Sequence, residues 1–399
     1  MSSQTVRRRH VFYIPGYDPI HPRRYRELYR KESAVQAAVS GYEIMLSPGQ
    51  SAGRYGWHVE ATIDGIDTIS DFETLIWSDI VRDSMDRGIF ATYLQLVRTA
   101  WTYIRTGALR RLMRLRKGPV IAALYPVAFL LVQLLLALFL AWGVGSILAL
   151  LHPSMIYGGV VVIPFVLEWF RKKDNKFFAY YLMHDYAYSA QAGGANPPAL
   201  EARMAEFTSA IAEVLGGDAD EVLVIGHSSG AHLAVSILAD VIRQGRGPDN
   251  GPALAFLSLG QVVPMVSFLP EAHRLRADLQ YLSTSDALTW VDVTAPGDGC
   301  AFALCDPVNV SGVATEGKRW PLVLSAAFTQ TLSPARWREL RWRFFRLHFQ
   351  YLCAFDQPGD YDYFQITAGP QTLRDRFKGR TPSKSRIETP TSPYTSITP

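Results

Sequence analysis

Between Lys117 and Glu168 the chain contains no Asp, Glu, Lys or Arg, and no other stretch limits the possible folds as severely. Its first part, Pro119 to Leu151, is a nearly unbroken run of Leu, Ala, Val and Phe. A bilayer core takes about 20 helical residues, so this run is long enough to cross with tilt or spare length. His152-Pro153 then breaks the helix, and Ser154 to Phe170 supplies a second apolar stretch at the short end of what can span. A soluble helix of this length keeps a polar face; this one has none. The stretches 119–151 and 154–170 are therefore expected to form a two-helix transmembrane hairpin.

Basic residues flank the hairpin on both sides. Arg110, Arg111, Arg114, Arg116 and Lys117 precede it, and Arg171, Lys172, Lys173 and Lys176 follow it. The positive-inside rule assigns both ends to the cytoplasmic side. The expectation is an integral protein of the plasma (inner) membrane with its globular part in the cytoplasm. Upstream, Phe90, Leu94, Val97, Trp101, Ile104, Ala108, Leu112 and Leu115 recur at spacings of three and four, one apolar stripe of a long helix over 83–116. That stripe either lies among lipid headgroups or packs on the globular part.

The remainder alternates between strand-like and helix-like patterns. Candidate strands fall at 10–14, 42–46, 57–63, 73–77, 221–226, 253–259, 288–294 and 321–327. Helical patterns fall at 23–38, 198–215, 229–244, 271–282 and 334–346. Such alternation implies an α/β fold, a mostly parallel sheet with helices on both faces. With 48% hydrophobic residues the chain can fill a full core. A net charge of only +4 gives no reason to expect nucleic acid as a partner. Cys300, Cys305 and Cys353 are too scattered for a disulfide framework or a zinc site, and no metal or organic cofactor is expected. Residues 379–399, rich in Ser, Thr and Pro, are expected to form a disordered tail.

One junction carries chemistry. The strand-like Glu221-Val222-Leu223-Val224-Ile225 runs directly into Gly226-His227-Ser228-Ser229-Gly230 and then into the helical Ala231-His232-Leu233-Ala234. The five residues fit G-x-S-x-G, a turn so tight that a Cβ at the flanking glycines would clash. Such a turn projects a hydroxyl at a helix N-terminus, where the helix dipole favours developing negative charge. Ser228 is the candidate nucleophile.

Strand, motif and helix together resemble the nucleophile elbow of the α/β-hydrolase superfamily. The resemblance covers residues 9–80 and 195–370, interrupted by the hairpin. It implies a core in two parts, 9–82 and 196–378, with the insertion 83–195 in the position of a lid. It also implies a triad in the order Ser, acid, His. Applied to the nine histidines, that order discards His10, His21, His58, His152 and His184, which precede the serine. His227 and His232 belong to the elbow and its helix, and His273 comes before the strand that leads to the acid; His348 is left. For the acid, Asp298 follows strand 288–294 directly, and Asp306 is the alternative. One oxyanion donor is expected to be the backbone N–H of Ser229. The other is assigned to Tyr17 in the loop after the first strand, with Gly16 allowing close approach. The activity implied is that of a serine hydrolase, an esterase or lipase-like enzyme cleaving carboxylic esters of apolar or lipid-like acyl groups. Its partners would be the bilayer and an ester substrate. An acyltransferase, or a non-catalytic membrane protein on a hydrolase scaffold, are the alternatives. Trp77-Ser78-Asp79 and the cluster Asp356, Asp360 and Asp362 stay unassigned, the first as a pocket wall or helix cap, the second as a solvated loop rather than a metal site.

Overall fold

Burial alternates along the first strand and thereby sets the layers. In the computed structural model, which describes residues 5–49, 54–245 and 251–399, β1 (Arg8–Ile14) turns Val11 and Tyr13 to one face of a sheet and Phe12 and Ile14 to the other. The remaining strands are β2 (Glu43–Pro48), β3 (Gly56–Ile63), β4 (Ile66–Thr74), β5 (Glu221–His227), β6 (Ala253–Leu259), β7 (Thr289–Thr294) and β8 (Leu322–Ser325). They form one eight-stranded sheet in the order β2-β3-β4-β1-β5-β6-β7-β8. β2, β3 and β4 pair antiparallel, and every pairing from β4–β1 to β7–β8 is parallel. The protein is therefore α/β with a mostly parallel sheet.

Helices cover both faces. Tyr25 and Tyr29 of the helix Arg23–Ser40 and Phe364 of the helix Tyr363–Ala368 pack on the side of Val11 and Tyr13. The helices Pro198–Leu215, Gly230–Arg243 and His273–Thr284 cover the side of Phe12 and Ile14. β5 lies between two parallel neighbours under helices on both sides, so each of its residues is buried. That is why it reads as an apolar run rather than an alternation.

Four expectations are corrected. The strand assigned to 73–77 lies earlier, because Asp64 and Gly65, at φ 55° and 73°, close a two-residue hairpin with Ile63 opposite Ile66. The helix expected over 83–116 is broken into Ser78–Met85, Ile89–Arg105 and Ala108–Leu115, with Gly88 and Gly107 at the last two N-caps. The pattern at 334–346 likewise divides into Pro334–Leu340 and Phe344–His348. The segment 379–399 is an ordered strap. Ser383 N donates to Val323 O (2.8 Å), Ile387 N to Leu304 O (2.7 Å) and Thr391 N to Val310 O (3.0 Å). Low apolar content prevents a core of its own, yet backbone groups find partners on the domain surface. A helix at Ala179–Ala190 had no counterpart in the sequence pattern.

Two helices, Lys117–Ala149 and Pro153–Lys172, are long and apolar enough to cross a membrane. At 1.5 Å per residue the first is about 50 Å long. The second starts as a 3-10 helix, Pro153–Val161, whose larger rise stretches the leg to about 34 Å. Both lengths exceed a hydrocarbon core of about 30 Å. Phe139, Trp142, Ile147, Leu150, Tyr157 and Phe165 are exposed on the hairpin, a surface suited to lipid and not to water. The two legs approach through small residues: a Cβ at Gly159 would stand 2.0 Å from Ala141 O, and one at Gly145 would stand 2.3 Å from Ile156 O. Ala141 and Gly145 are one turn apart, the small-xxx-small spacing of membrane helix pairs.

The apolar stripe upstream divides in two. Phe90, Leu94, Val97, Trp101 and Ile104 are exposed, because the helix Ile89–Arg105 buries Leu96, Thr99 and Tyr103 instead. Ala108, Leu112 and Leu115 are buried, in one cluster with Phe268 and Phe302.

Gly159→Val should force the hairpin legs apart at a cost of about 1–3 kcal/mol. Gly143→Val, where a Cβ meets open space, should cost little. Thermal unfolding in detergent checks the pair: an earlier transition is expected for the first variant only.

Candidate functional site

Parallel pairing brings the C-terminal ends of β1, β5, β6 and β7 side by side: Ile14 is opposite Gly226, His227 opposite Leu259, and Leu259 opposite Val293. The loops leaving these four strands share one corner, where open α/β sheets bind ligands. The bend after β5 is held there by close backbone contact. A Cβ at Gly230 would lie 2.2 Å from Ile14 O, and one at Gly226 would lie 2.7 Å from Ala231 Cα. Ser228 sits between these glycines at φ 56°, a left-handed conformation costing a residue with a Cβ about 1–2 kcal/mol. Its N–H donates to Leu259 O (2.9 Å), which fixes the bend to the neighbouring strand. The Ser228 side chain remains partly accessible.

His348 reaches the same corner from the end of the helix Phe344–His348. Its Nδ1 is 2.7 Å from Asp298 Oδ2, and both side chains are buried. Tyr351 donates its hydroxyl to the same carboxylate oxygen (3.0 Å), and Cys300 N donates to Oδ1 (2.8 Å). Burial alone would push the Asp298 carboxyl up; the His348 charge and these hydrogen bonds outweigh it and hold the group below its ordinary range. The other ring nitrogen, His348 Nε2, is buried without a hydrogen-bond partner among the described residues. The ring lies beside the loop after β6: a Cβ at Gly260 would stand 3.0 Å from His348 Cε1, one residue beyond the carbonyl that anchors Ser228.

His227 props this imidazole. The two rings stack at 4.9 Å, and His227 Nε2 donates to the His348 carbonyl (3.1 Å). A carbonyl only accepts, so Nε2 carries the proton and Nδ1 accepts from the Tyr13 hydroxyl (3.3 Å). Burial, aided by the nearby His348 charge, pushes the His227 pKa down to about 3, so the ring stays neutral.

Of the two candidate acids, Asp298 is the one bonded to His348. Asp306 instead caps the short helix Pro307–Val310 through Val308 N and Asn309 N, and it pairs with Lys318 at 2.7 Å. The loop Pro15-Gly16-Tyr17 borders Ser228: a Cβ at Gly16 would stand 3.0 Å from Ser228 Cβ and 3.4 Å from its Oγ. Trp77 Nε1 pins that loop by donating to Pro15 O (2.9 Å). The N–H groups of Tyr17 and Ser229 have no backbone partner among the described residues.

The unassigned acids have local duties. Asp79 forms an ion pair with Arg203, Asp356 accepts from Ser333 N, Asp360 accepts from Arg380, and Asp362 caps the helix Tyr363–Ala368. Asp298, Cys300 and His348 bring donor atoms within 4.8 Å of one another. Two ligands of a tetrahedral ion at about 2.1 Å would stand about 3.4 Å apart. Asp298 and His348 are at hydrogen-bond distance, and burial pushes the Cys300 thiol well above its ordinary value, so it keeps its proton. The cluster fits a proton-sharing pair better than a metal cage.

The sequence reading missed the helix Ala179–Ala190, whose Tyr181 donates its hydroxyl to Tyr17 O and whose Asp185 lies close enough to His348 to sense its charge. Ala179, Tyr180, Met183, Ala187 and Ala190 repeat at three and four, but Tyr181, Leu182 and Tyr186 between them blur the stripe. Tyr351 and His227 were also missed as supports of the imidazole.

Asp306→Ala should cost about 1–3 kcal/mol in denaturant unfolding, through a lost cap and a stranded lysine. It should leave the His348 imidazole resonances in place. Asp298→Ala should shift those resonances, because it removes the partner of Nδ1.

Among known proteins, no family model matches the chain, and neither a curated protein nor a solved structure matches it.

Proposed function

We propose that the chain is a membrane-anchored serine hydrolase of the α/β-hydrolase kind, cleaving carboxylic esters of apolar or lipid-like acyl groups. The observation that carries this reading is the buried Asp298–His348 pair with its free Nε2, at the corner where Ser228 is bent into a left-handed turn. His10, His184 and His232 also keep a buried ring nitrogen without a partner, so the free Nε2 counts here because Asp298 holds the other nitrogen and the ring lies beside the loop that anchors Ser228.

In the proposed reaction His348 Nε2 takes the proton of Ser228 Oγ as that oxygen attacks the ester carbonyl carbon. The oxygen of the tetrahedral adduct accepts from the N–H groups of Ser229 and Tyr17, which are free to donate. Collapse expels the alcohol, which leaves with the proton held by His348. Water then repeats the sequence on the acyl-enzyme, releasing the carboxylic acid and restoring Ser228. Asp298 holds the imidazole by Nδ1 and stabilises its protonated form throughout. An alcohol or thiol in place of water would make the same site an acyltransferase, which product analysis with competing acceptors separates.

The apolar substrate class is inferred from the hairpin. On this reading the helices Lys117–Ala149 and Pro153–Lys172 cross the plasma (inner) membrane. The exposed Phe90, Leu94, Val97, Trp101 and Ile104 then rest at its surface, close to exposed Arg98 and Arg105. Exposed Arg110 and Arg114 before the hairpin, and Arg171, Lys172 and Lys173 after it, favour a cytoplasmic globular part.

A fluorophosphonate probe should label the wild type and spare Ser228→Ala; equal labelling of both would end the proposal. Asp298→Asn should lower kcat for p-nitrophenyl esters about a thousandfold or more. Carbonate extraction should leave the protein in the membrane pellet, and its release into the supernatant would refute the anchor.

A further inference from the structure

The helix Ala179–Ala190 carries a carboxylate that no group among the described residues satisfies. Asp185 lies one turn after Tyr181 and three residues before Tyr188, so the three side chains share a helix face. That face meets the loop after β1. Tyr181 donates its hydroxyl to Tyr17 O, and the rings of Tyr181 and Tyr188 stand 6.1 and 5.7 Å from that of Tyr17. Tyr181 also meets Phe345, three residues before His348, at 5.9 Å. Asp185 is thus held over the corner that contains Gly16, Ser228 and His348.

Among the described residues its carboxylate makes no hydrogen bond and no ion pair. It is surrounded by protein yet keeps some accessible surface, so a small ligand can reach it. The titratable groups within its electrostatic reach are Tyr17, Tyr103 on the helix Ile89–Arg105, Tyr181, Tyr186, Cys300 and His348. Neither lysine nor arginine is among them. Burial pushes the carboxyl up to about 7, with the His348 charge opposing.

A partly accessible carboxylate among tyrosine rings, with the His348 imidazole as the one basic side chain in its electrostatic reach among the described residues, has the composition of a site for an organic ammonium group. The carboxylate supplies the opposite charge, and the ring faces add cation–π attraction. A neutral hydroxyl would offer one hydrogen bond but would gain nothing from the rings and would leave the buried charge uncompensated.

We infer that Asp185 recognises a positively charged amine on the substrate, so that the preferred ester joins an apolar acyl group to an amino alcohol. The word substrate rests on the hydrolase reading; the amine pocket itself does not. Binding needs Asp185 ionised, so the preference for a charged ligand grows as pH rises through about 7.

The test uses full-length Ser228→Ala protein in detergent, which binds without turnover, and ligand-observed NMR. Butyrylcholine should bind about tenfold or more tightly than its uncharged isostere 3,3-dimethylbutyl butyrate at pH 8, with a smaller ratio at pH 6. Asp185→Asn in the same background should bring the ratio close to one, and Asp185→Glu should restore part of it. Equal binding of the two esters by protein with Asp185 intact overturns the inference without needing any variant at that position to fold. A preference that survives Asp185→Asn overturns it as well. Failure of fluorophosphonate labelling would strike the role of Ser228 alone and leave this binding comparison to decide its own question.

Discussion

The close approach of one backbone to another at Gly230 underlies the arrangement of the whole corner. Without a Cβ, Gly230 lets the helix that follows β5 start against the carbonyl of Ile14. That contact sets the entry of the helix, the left-handed turn at Ser228 and the distance to the loop Pro15-Gly16-Tyr17 at once. Any side chain at 230 would have to displace the end of β1, and with it every group that borders Ser228. The strain at Ser228 persists because the bend is fixed on both sides, by the N–H of Ser228 on Leu259 O and by the glycine contact on Ile14.

Two carboxylates near this corner titrate in opposite directions for identifiable reasons. Asp298 has three hydrogen-bond donors, one of them the neighbouring His348 imidazole, which together outweigh burial. Asp185 has burial and, among the described residues, no donor, so its proton is held more tightly. Sites that need one ionised acid and one poised acid are built in this way, by environment and not by residue type.

What was legible in the sequence was local. β5, the tight turn and the start of the helix after it are written in the consecutive run Glu221–Ala234, and the hairpin in a stretch without Asp, Glu, Lys or Arg. The sheet order was not legible, since β1 comes first in the chain yet pairs with β5 more than two hundred residues on. The choice between Asp298 and Asp306 was closed to sequence reading, because both follow β7 and only the fold decides which one meets His348. The Asp64-Gly65 dipeptide is a two-residue hairpin signal, and it places β4 directly after β3. The helix Ala179–Ala190 gives a blurred signal, because Tyr181, Leu182, Tyr186 and Tyr188 add apolar positions off the buried stripe of Ala179, Tyr180, Met183, Ala187 and Ala190. The C-terminal strap was unreadable because isolated hydrogen bonds to a distant surface hold it.

The base of the helix Lys117–Ala149 touches the loop that carries Asp298. Gly118 lies so near Gly299 that a Cβ there would stand 3.3 Å from its Cα, and Arg116 Nε donates to Ala303 O at 2.8 Å. The hairpin is therefore no detachable tether. Excising it to obtain a soluble domain would strip the backing from the segment 299–303, next to the acid itself. Any displacement of the hairpin has a direct mechanical path to the carboxylate bonded to His348.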